Sequence, residues 1–340
     1  MEKLGKNILI DLSAGGMIGF SILHPVSMLI QHGVNVLQHP IGHYFFSSMS
    51  LYFTLLGCFL GILSGVFRIK LQNQNVRLKE QQKIINEQNQ SFEASITYAR
   101  HIQDSMFTKE QEIKQYLPEC FILHKPKDII GGDLYWFRKI KGKYFFAAID
   151  CTGHGVPGAV LSMIANDLLN EIVTEFKIYS PDLVLNKLHL LFRQTLHQDK
   201  NGNMDGLDIA LCCFDKKARR IEYAGAKNPL IYIQNKQIQI IKGDRISIGG
   251  YNGFNSPGFT KHILTVNEPS VFYIFTDGFQ DQFGYDDKGK FKSHRFRKLL
   301  LKIHELPYIR QKLELDRTFE SWRSTEPQTD DVLVIGFKVG

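Results

Sequence analysis

Four acidic motifs are spread through residues 111–340. Gly131-Gly132-Asp133 leads into the apolar run Leu134 to Ile140. Lys143 to Ile149 reads as a buried strand ending at Asp150, which opens Asp150-Cys151-Thr152-Gly153-His154-Gly155-Val156-Pro157-Gly158. The apolar strand Val271 to Phe275 runs into Thr276-Asp277-Gly278, and Thr329-Asp330-Asp331 precedes a last strand, Val332 to Phe337. Aspartates at strand ends beside glycines suit a hard cation, because oxygen ligands hold Mg²⁺ or Mn²⁺ and glycine lets the backbone approach the ion. Carboxylates crowded together repel one another unless divalent cations neutralise them. Two such ions can hold a hydroxide and orient a phosphate for in-line attack. A single Asp-Gly is ordinary turn chemistry. Four in order through one domain point to a site.

Other chemistries fit less well. A cysteine phosphatase needs Cys-x5-Arg, and Pro157 stands at that spacing from Cys151. Cys151 is therefore read as a small apolar or backbone-ligand position. Gly153 to Gly158 is glycine-rich but lacks the Lys-Ser/Thr of a nucleotide P-loop. His154 is read either as an imidazole assisting the leaving group or as a residue that orients its loop. Asp205 and Asp208 precede the apolar strand Ile209 to Phe214, where Asp208 either supports the metal site or starts the strand. Tyr223 to Pro229 reads as a strand and tight turn whose small residues serve sheet packing.

The elements that must position these groups follow a marked change in composition. With 340 residues, of which 44% are hydrophobic and 22% charged, the chain has material for about two domains and a real core. Tyr44 to Phe67 carries no charged side chain and is long enough for the ~30 Å hydrocarbon core, so it reads as a transmembrane helix. Ile8 to Gln31 reads as a second span despite Asp11, His24 and Pro25. Lys3, Lys6, Arg68 and Lys70 flank the pair, and the stretch from Gln31 to His43 has no Lys or Arg, which places both ends in the cytoplasm. Gly15, Gly19, Gly57, Gly61 and Gly65 form small-residue stripes that allow close helix packing or dimerisation.

From Leu71 the chain turns to Gln, Asn, Lys and Glu. Leu71, Leu78, Ile85, Phe92, Ala99 and Met106 recur at heptad spacing, the pattern of a parallel coiled coil. Gln74, Gln81 and Gln88 at companion positions make that coil marginal, and a lone amphipathic helix is the alternative. Five cysteines without a CxxC pair read as reduced thiols, with neither disulfide framework nor zinc site. The net charge of +7 comes with no groove-reading motif, so nucleic-acid binding is not expected.

The ordered set Tyr98-Ala99-Arg100-His101-Ile102-Gln103, Gly131-Gly132-Asp133, Asp150 to Gly155, Met204 to Ala210, Tyr223 to Ala226, Thr276-Asp277-Gly278 and Asp330-Asp331 resembles the SpoIIE-like branch of the PPM metal-dependent serine/threonine protein phosphatases. The resemblance runs from about Ser95 to Gly340. It implies an α-β-β-α sandwich of two antiparallel sheets, preceded here by a transmembrane hairpin (1–70) and a coiled-coil connector (71–110), with the phosphatase domain at 111–340. It further implies that Asp133, Asp150, Asp277 and Asp330 ligate two Mn²⁺ or Mg²⁺ ions, with Asp150 bridging them and the Cys151 carbonyl contributing. Asp330 is favoured as the ligand over Asp331, which would orient the loop. A metal-bridged hydroxide would then attack phosphoserine or phosphothreonine, with Asp150 and Asp133 central to catalysis. The implied substrate is a regulatory phosphoprotein of the anti-anti-sigma (STAS) kind, met by a multi-pass enzyme at the bacterial inner membrane whose catalytic domain is cytoplasmic. The coiled coil would make a homodimer. The sequence departs from eukaryotic relatives in lacking an equivalent of their phosphate-binding arginine. A silent signalling protein that uses the fold only to bind a partner is the alternative, and the retained carboxylates argue against it. A two-metal nuclease lacks its usual histidine-rich ligands.

Overall fold

The computed structural model describes residues 10, 12–23, 26, 48–250, 258–286 and 288–339. These fall into two units, Met1–Phe92 and Glu93–Gly340. In the first, helix α1 (Leu12–Leu23) closes in a π turn, Gly19–Leu23, and lies against α2 (Ser48–Met106). Their contact is backbone to backbone. A Cβ on Gly15 would lie 3.0 Å from the Cα of Gly61, and one on Gly57 would lie 3.0 Å from the Cα of Gly19. The glycine stripes thus bring two helices of one chain together. On α2, Leu51, Leu55, Phe59, Leu63 and Phe67 stay exposed, as do the heptad residues Leu71, Leu78, Ile85 and Phe92. Lys3, Lys6, Asp11, His24, Pro25 and the connection 31–43 lie outside the described residues.

The second unit is built on strands that are apolar on both faces. Its elements are α3 (Glu110–Tyr116), β1 (Cys120–Lys125), β2 (Leu134–Ile140), β3 (Lys143–Cys151), α4 (Gly155–Thr174), α5 (Pro181–Thr195), α6 (Gln198–Asn201), β4 (Gly206–Asp215), β5 (Arg220–Ala226), β6 (Leu230–Gln234) and β7 (Gln237–Ile241). They continue with β8 (Ile248–Gly249), β9 (His262–Thr265), β10 (Ser270–Phe275), α7 (Gly278–Asp281), α8 (Ser293–Ile303), α9 (Tyr308–Arg323) and β11 (Val332–Val339). One sheet has the order β1-β11-β10-β6-β7 and the other β2-β3-β4-β5-β9, with β8 added beside β4; every pairing is antiparallel.

Period-two alternation sends each strand's side chains into two different cores. From β3, Phe145, Ala147 and Ile149 pack under α4 and α5 with Leu169 and Leu188, while Phe146 and Ala148 face the other sheet. From β10, Phe272 and Ile274 join that central core, while Tyr273 and Phe275 pack with Phe296 and Phe319 of α8 and α9. Helices therefore cover both outer faces, giving the α-β-β-α sandwich expected. The helix expected from about Ala159 begins at Gly155, because Pro157 falls in its first turn, where proline's missing N–H breaks no helical bond. Strand β4 starts at Gly206 instead of Ile209, since Gly206 and Leu207 pair with β8.

Candidate metal centre

Strand register gathers the aspartates at one end of the sandwich. In the β2-β3-β4 sheet Leu134 faces Ile149, so Asp133 enters β2 beside Asp150, and Asp150 in turn faces Asp208 across β4. In the other sheet Phe275 of β10 faces Val334 of β11, which brings Asp277, just after β10, close to Asp330 and Asp331, just before β11. Asp150, Cys151, Asp208, Asp277 and Asp330 line one cleft of about 260 Å³ with Lys227, Ser247 and His154.

Asp133 is buried behind that cleft, where its Oδ2 accepts the Thr276 hydroxyl at 2.6 Å. The same Thr276 oxygen accepts the Leu333 N–H at 3.0 Å, joining the two sheets at the site. Asp331 is also buried, and its oxygens accept backbone N–H groups: Oδ1 from Lys127 at 2.7 Å, Oδ2 from Gly132 at 2.6 Å. It thereby holds the glycine loop that carries Asp133. Asp330 Oδ1 accepts the Asp331 N–H at 2.8 Å and leaves its other oxygen to the cleft.

The glycines allow an approach no side chain would permit. A Cβ on Gly132 would stand 2.7 Å from the Gly153 carbonyl and 3.1 Å from that of Cys151, while Gly153 itself adopts φ +82°. Thr152 closes this loop onto β4: its N–H and hydroxyl both donate to the Gly206 carbonyl at 2.9 Å. Gln103, near the end of α2, donates from Nε2 to the Gly131 carbonyl at 2.8 Å and to Ser162 Oγ of α4 at 2.9 Å. The conformation of the Asp133 loop is thus fixed from two sides.

Electrostatics show what the cluster lacks. Burial first, then Asp150, raises the Asp133 carboxyl well above the usual carboxylate range, against the opposing hydrogen bond from Thr276. Asp150 is pushed up to about 8 by burial, followed by Asp277, Asp330 and Asp208. Asp277 is raised to about 6 by burial, then by Asp281 and Asp330, with Lys290 opposing. Carboxylates held apart from water and facing one another need positive charge to ionise at neutral pH. The donor set is all oxygen, so it fits Mg²⁺ or Mn²⁺ and suits a soft metal poorly. Among the described residues no three His, Cys, Asp or Glu side chains stand together closely enough to hold a metal ion between them. Hard cations of this kind keep several waters and lean on few carboxylates, so an open arrangement agrees with them.

The remaining candidates take defined places. The Cys151 thiol is buried in the core beneath α4, and burial raises its pKa well above the ordinary thiol value, so only its carbonyl is suited to the site. The His154 ring is tied on both sides: Nδ1 to Asp128 Oδ2 at 2.7 Å and Nε2 to Lys127 Nζ at 3.0 Å. With an ammonium donating to Nε2, the ring proton sits on Nδ1 and is donated to Asp128. Asp208 turns to the cleft, taking the Ser247 hydroxyl at 2.6 Å and lying 3.4 Å from Lys227 Nζ. The sequence places Lys227 only in a turn. A left-handed backbone (φ +57°), fixed by its N–H to the Asp244 carbonyl at 2.7 Å, aims its ammonium at the carboxylates.

The sequence profile of the Stage II sporulation protein E (SpoIIE) family matches residues 140–340. Among solved structures, the SiaA-PP2C domain of Pseudomonas aeruginosa is similar, with 28% identity and a TM-score of 0.67 over 74% of this chain and 98% of that one. The PP2C phosphatase domain with a regulatory fragment of SpoIIE from Bacillus subtilis shares the fold at 14% identity and a TM-score of 0.52, covering 65% of this chain and 63% of that one. The RsbU and RsbW domains of a Mycobacterium tuberculosis protein do so at 16% and 0.51, covering 66% and 60%. No curated protein sequence matches. With over half its length matched by the profile and its sandwich shared with these domains, the chain belongs to the SpoIIE family of PP2C-like, PPM-type proteins.

Proposed function

We propose that the protein is a membrane-anchored, metal-dependent phosphoserine/phosphothreonine protein phosphatase. The observation that carries this reading is the meeting of Asp150, Asp277 and Asp330 in one cleft with Asp133 buried behind it, where burial and the neighbouring carboxylates push Asp150 up to about 8. Asp133, Asp150, Asp277 and Asp330, with the Cys151 carbonyl, would hold two Mn²⁺ or Mg²⁺ ions. Bound there, the ions supply a nucleophilic water at neutral pH and positive charge for the phosphoryl oxygens. The chain's own residues do the rest. Asp331 and the interlocked glycines hold the ligand loops, and Asp208 positions Lys227. The Lys227 ammonium, at the cleft wall, grips the phosphate where eukaryotic relatives use arginine.

Anchoring is supported by α2, whose first half exposes Leu51, Leu55, Phe59, Leu63 and Phe67. Such a face is costly in water and suits lipid. The apolar α4, with a mean hydropathy of 1.2 against 1.7 for α2, is instead a core helix packed on its sheet. We place the catalytic domain in the cytoplasm of a bacterium, on the charge asymmetry of residues 1–70. The exposed heptad seam supports a homodimer through the connector. Family membership supports a regulatory phosphoprotein, of the STAS kind, as substrate.

The test is Mn²⁺-dependent phosphate release from a phosphoserine peptide by the full chain in detergent, beside Asp150→Asn. Losing several kcal/mol of metal-derived stabilisation lowers turnover by about 10³-fold. An Asp150→Asn chain as active as the parent sinks the mechanism. A chain that binds Mn²⁺ but hydrolyses nothing is a partner-binding protein.

A further inference from the structure

Beside the carboxylate cleft lies a second groove of about 560 Å³ that no step above uses. The β6-β7 hairpin gives it an apolar wall, with Ile231 paired to Ile240, and Phe275 of β10 lies beside them. Lys242 and Arg245, just past β7, and Arg297 of α8 supply its charge. Lys227 lines this groove and the carboxylate cleft alike, so the two are adjacent. The groove's one carboxylate, Asp244, is already engaged: Oδ2 accepts the Thr260 N–H at 2.7 Å and Oδ1 its hydroxyl at 3.0 Å. Among the described residues, none of the Lys242, Arg245 and Arg297 side chains is held in an ion pair or hydrogen bond.

Uncommitted cations over an apolar wall match an extended peptide that carries both acidic and apolar side chains. A groove adjoining the reaction cleft across Lys227 is placed to take the chain on one side of a reacting phosphoserine. We propose that this groove docks an acidic, apolar-interspersed segment flanking the phosphoserine of the protein substrate. The proposal rests on the phosphatase reading and adds the sequence character of its substrate. Partly exposed charge pairs contribute about twofold each, so three cations together give roughly tenfold discrimination.

The experiment compares two fluorescent phosphoserine peptides, identical except that flanking Asp and Glu in one are Asn and Gln in the other. Anisotropy titrations use the full chain in detergent, as wild type, as Lys242→Gln with Arg245→Gln and Arg297→Gln, and as Lys242→Glu with Arg245→Glu and Arg297→Glu. The wild type binds the acidic peptide roughly tenfold more tightly, less so at high salt. The glutamine variant loses the preference and the glutamate variant reverses it. Equal affinity of the wild type for both peptides, or a preference kept by the glutamine variant, overturns the proposal. So does self-association of the wild type that the glutamine variant loses, because the groove is then a contact between copies. Mn²⁺-dependent turnover of the same peptides separates the two readings. Turnover without preference defeats the groove alone, whereas preference in binding without turnover defeats the phosphatase reading and leaves the docking surface standing.

Discussion

Replacing Asp150 by asparagine should stabilise the metal-free catalytic unit while destroying its response to metal. Asp150 makes no side-chain hydrogen bond among the described residues, so the amide forfeits none. Its carboxyl is raised from 3.8 to about 8 by burial and by Asp277, Asp330 and Asp208. A folded-state pKa above the unfolded one means that stability is fully present below the unfolded value and is lost as pH rises through the folded value. From this one group the metal-free chain loses about 1.4 kcal/mol per pH unit between roughly pH 4 and pH 7.5, on the order of 4–5 kcal/mol by the top of that window. The uncharged amide of the variant carries no such cost. The variant's advantage in EDTA should therefore be small near pH 4 and reach several kcal/mol at pH 7.5, or roughly 10 °C in melting temperature for a unit of this size. Added Mn²⁺ should narrow that advantage by about 2.7 kcal/mol at a hundredfold excess over the parent's dissociation constant, because the parent gains that much and the variant gains little. Urea and thermal unfolding of Glu93–Gly340, in EDTA and in Mn²⁺ across pH 4–8, reads all of this. A variant no more stable than the parent in EDTA at pH 7.5, or an advantage that does not shrink on acidification, refutes the argument from carboxylate repulsion.

Asp331→Ala should cost about 2–3 kcal/mol, because it strands the buried N–H of Gly132 and the half-buried N–H of Lys127, and chemical denaturation measures the loss. Lys227→Met should raise KM for a phosphopeptide about tenfold or more without weakening Mn²⁺ binding, which isothermal titration checks separately; an unchanged KM removes Lys227 from phosphate binding. Cys151→Ala should keep metal-dependent turnover within a few-fold at about 1 kcal/mol in stability, and resistance of the parent to thiol alkylation is the companion measurement.

The strand ends and their acidic turns were legible because apolar runs bounded by Asp-Gly pairs announce both the strand and its exposed end. The sandwich came from the family resemblance; the runs themselves say only that β3, β10 and β11, apolar on successive residues, need cover on both faces. Three contributions could not be read locally. Thr276 stands beside Asp277 in sequence, yet its hydroxyl serves Asp133, a partner that only the meeting of the two sheets supplies. Asp331 differs from Asp330 by one position, and register alone turns one inward to backbone donors and the other to the cleft. Lys227 depends on a left-handed residue, a conformation that its own identity does not favour and that the Asp244 carbonyl secures.

Gln103 limits where this chain can be recombined. Its amide ties the end of a long helix to the loop of Asp133 and to α4, so the final turns of that helix belong to the architecture of the second unit. An exchange of input modules, by evolution or by a protein engineer, must join upstream of those turns. A one-residue insertion between the join and Gln103 would rotate the incoming helix by about 100° relative to the fixed amide. Chimeras should therefore work in a periodic set of linker lengths, failing and recovering as the helical phase returns.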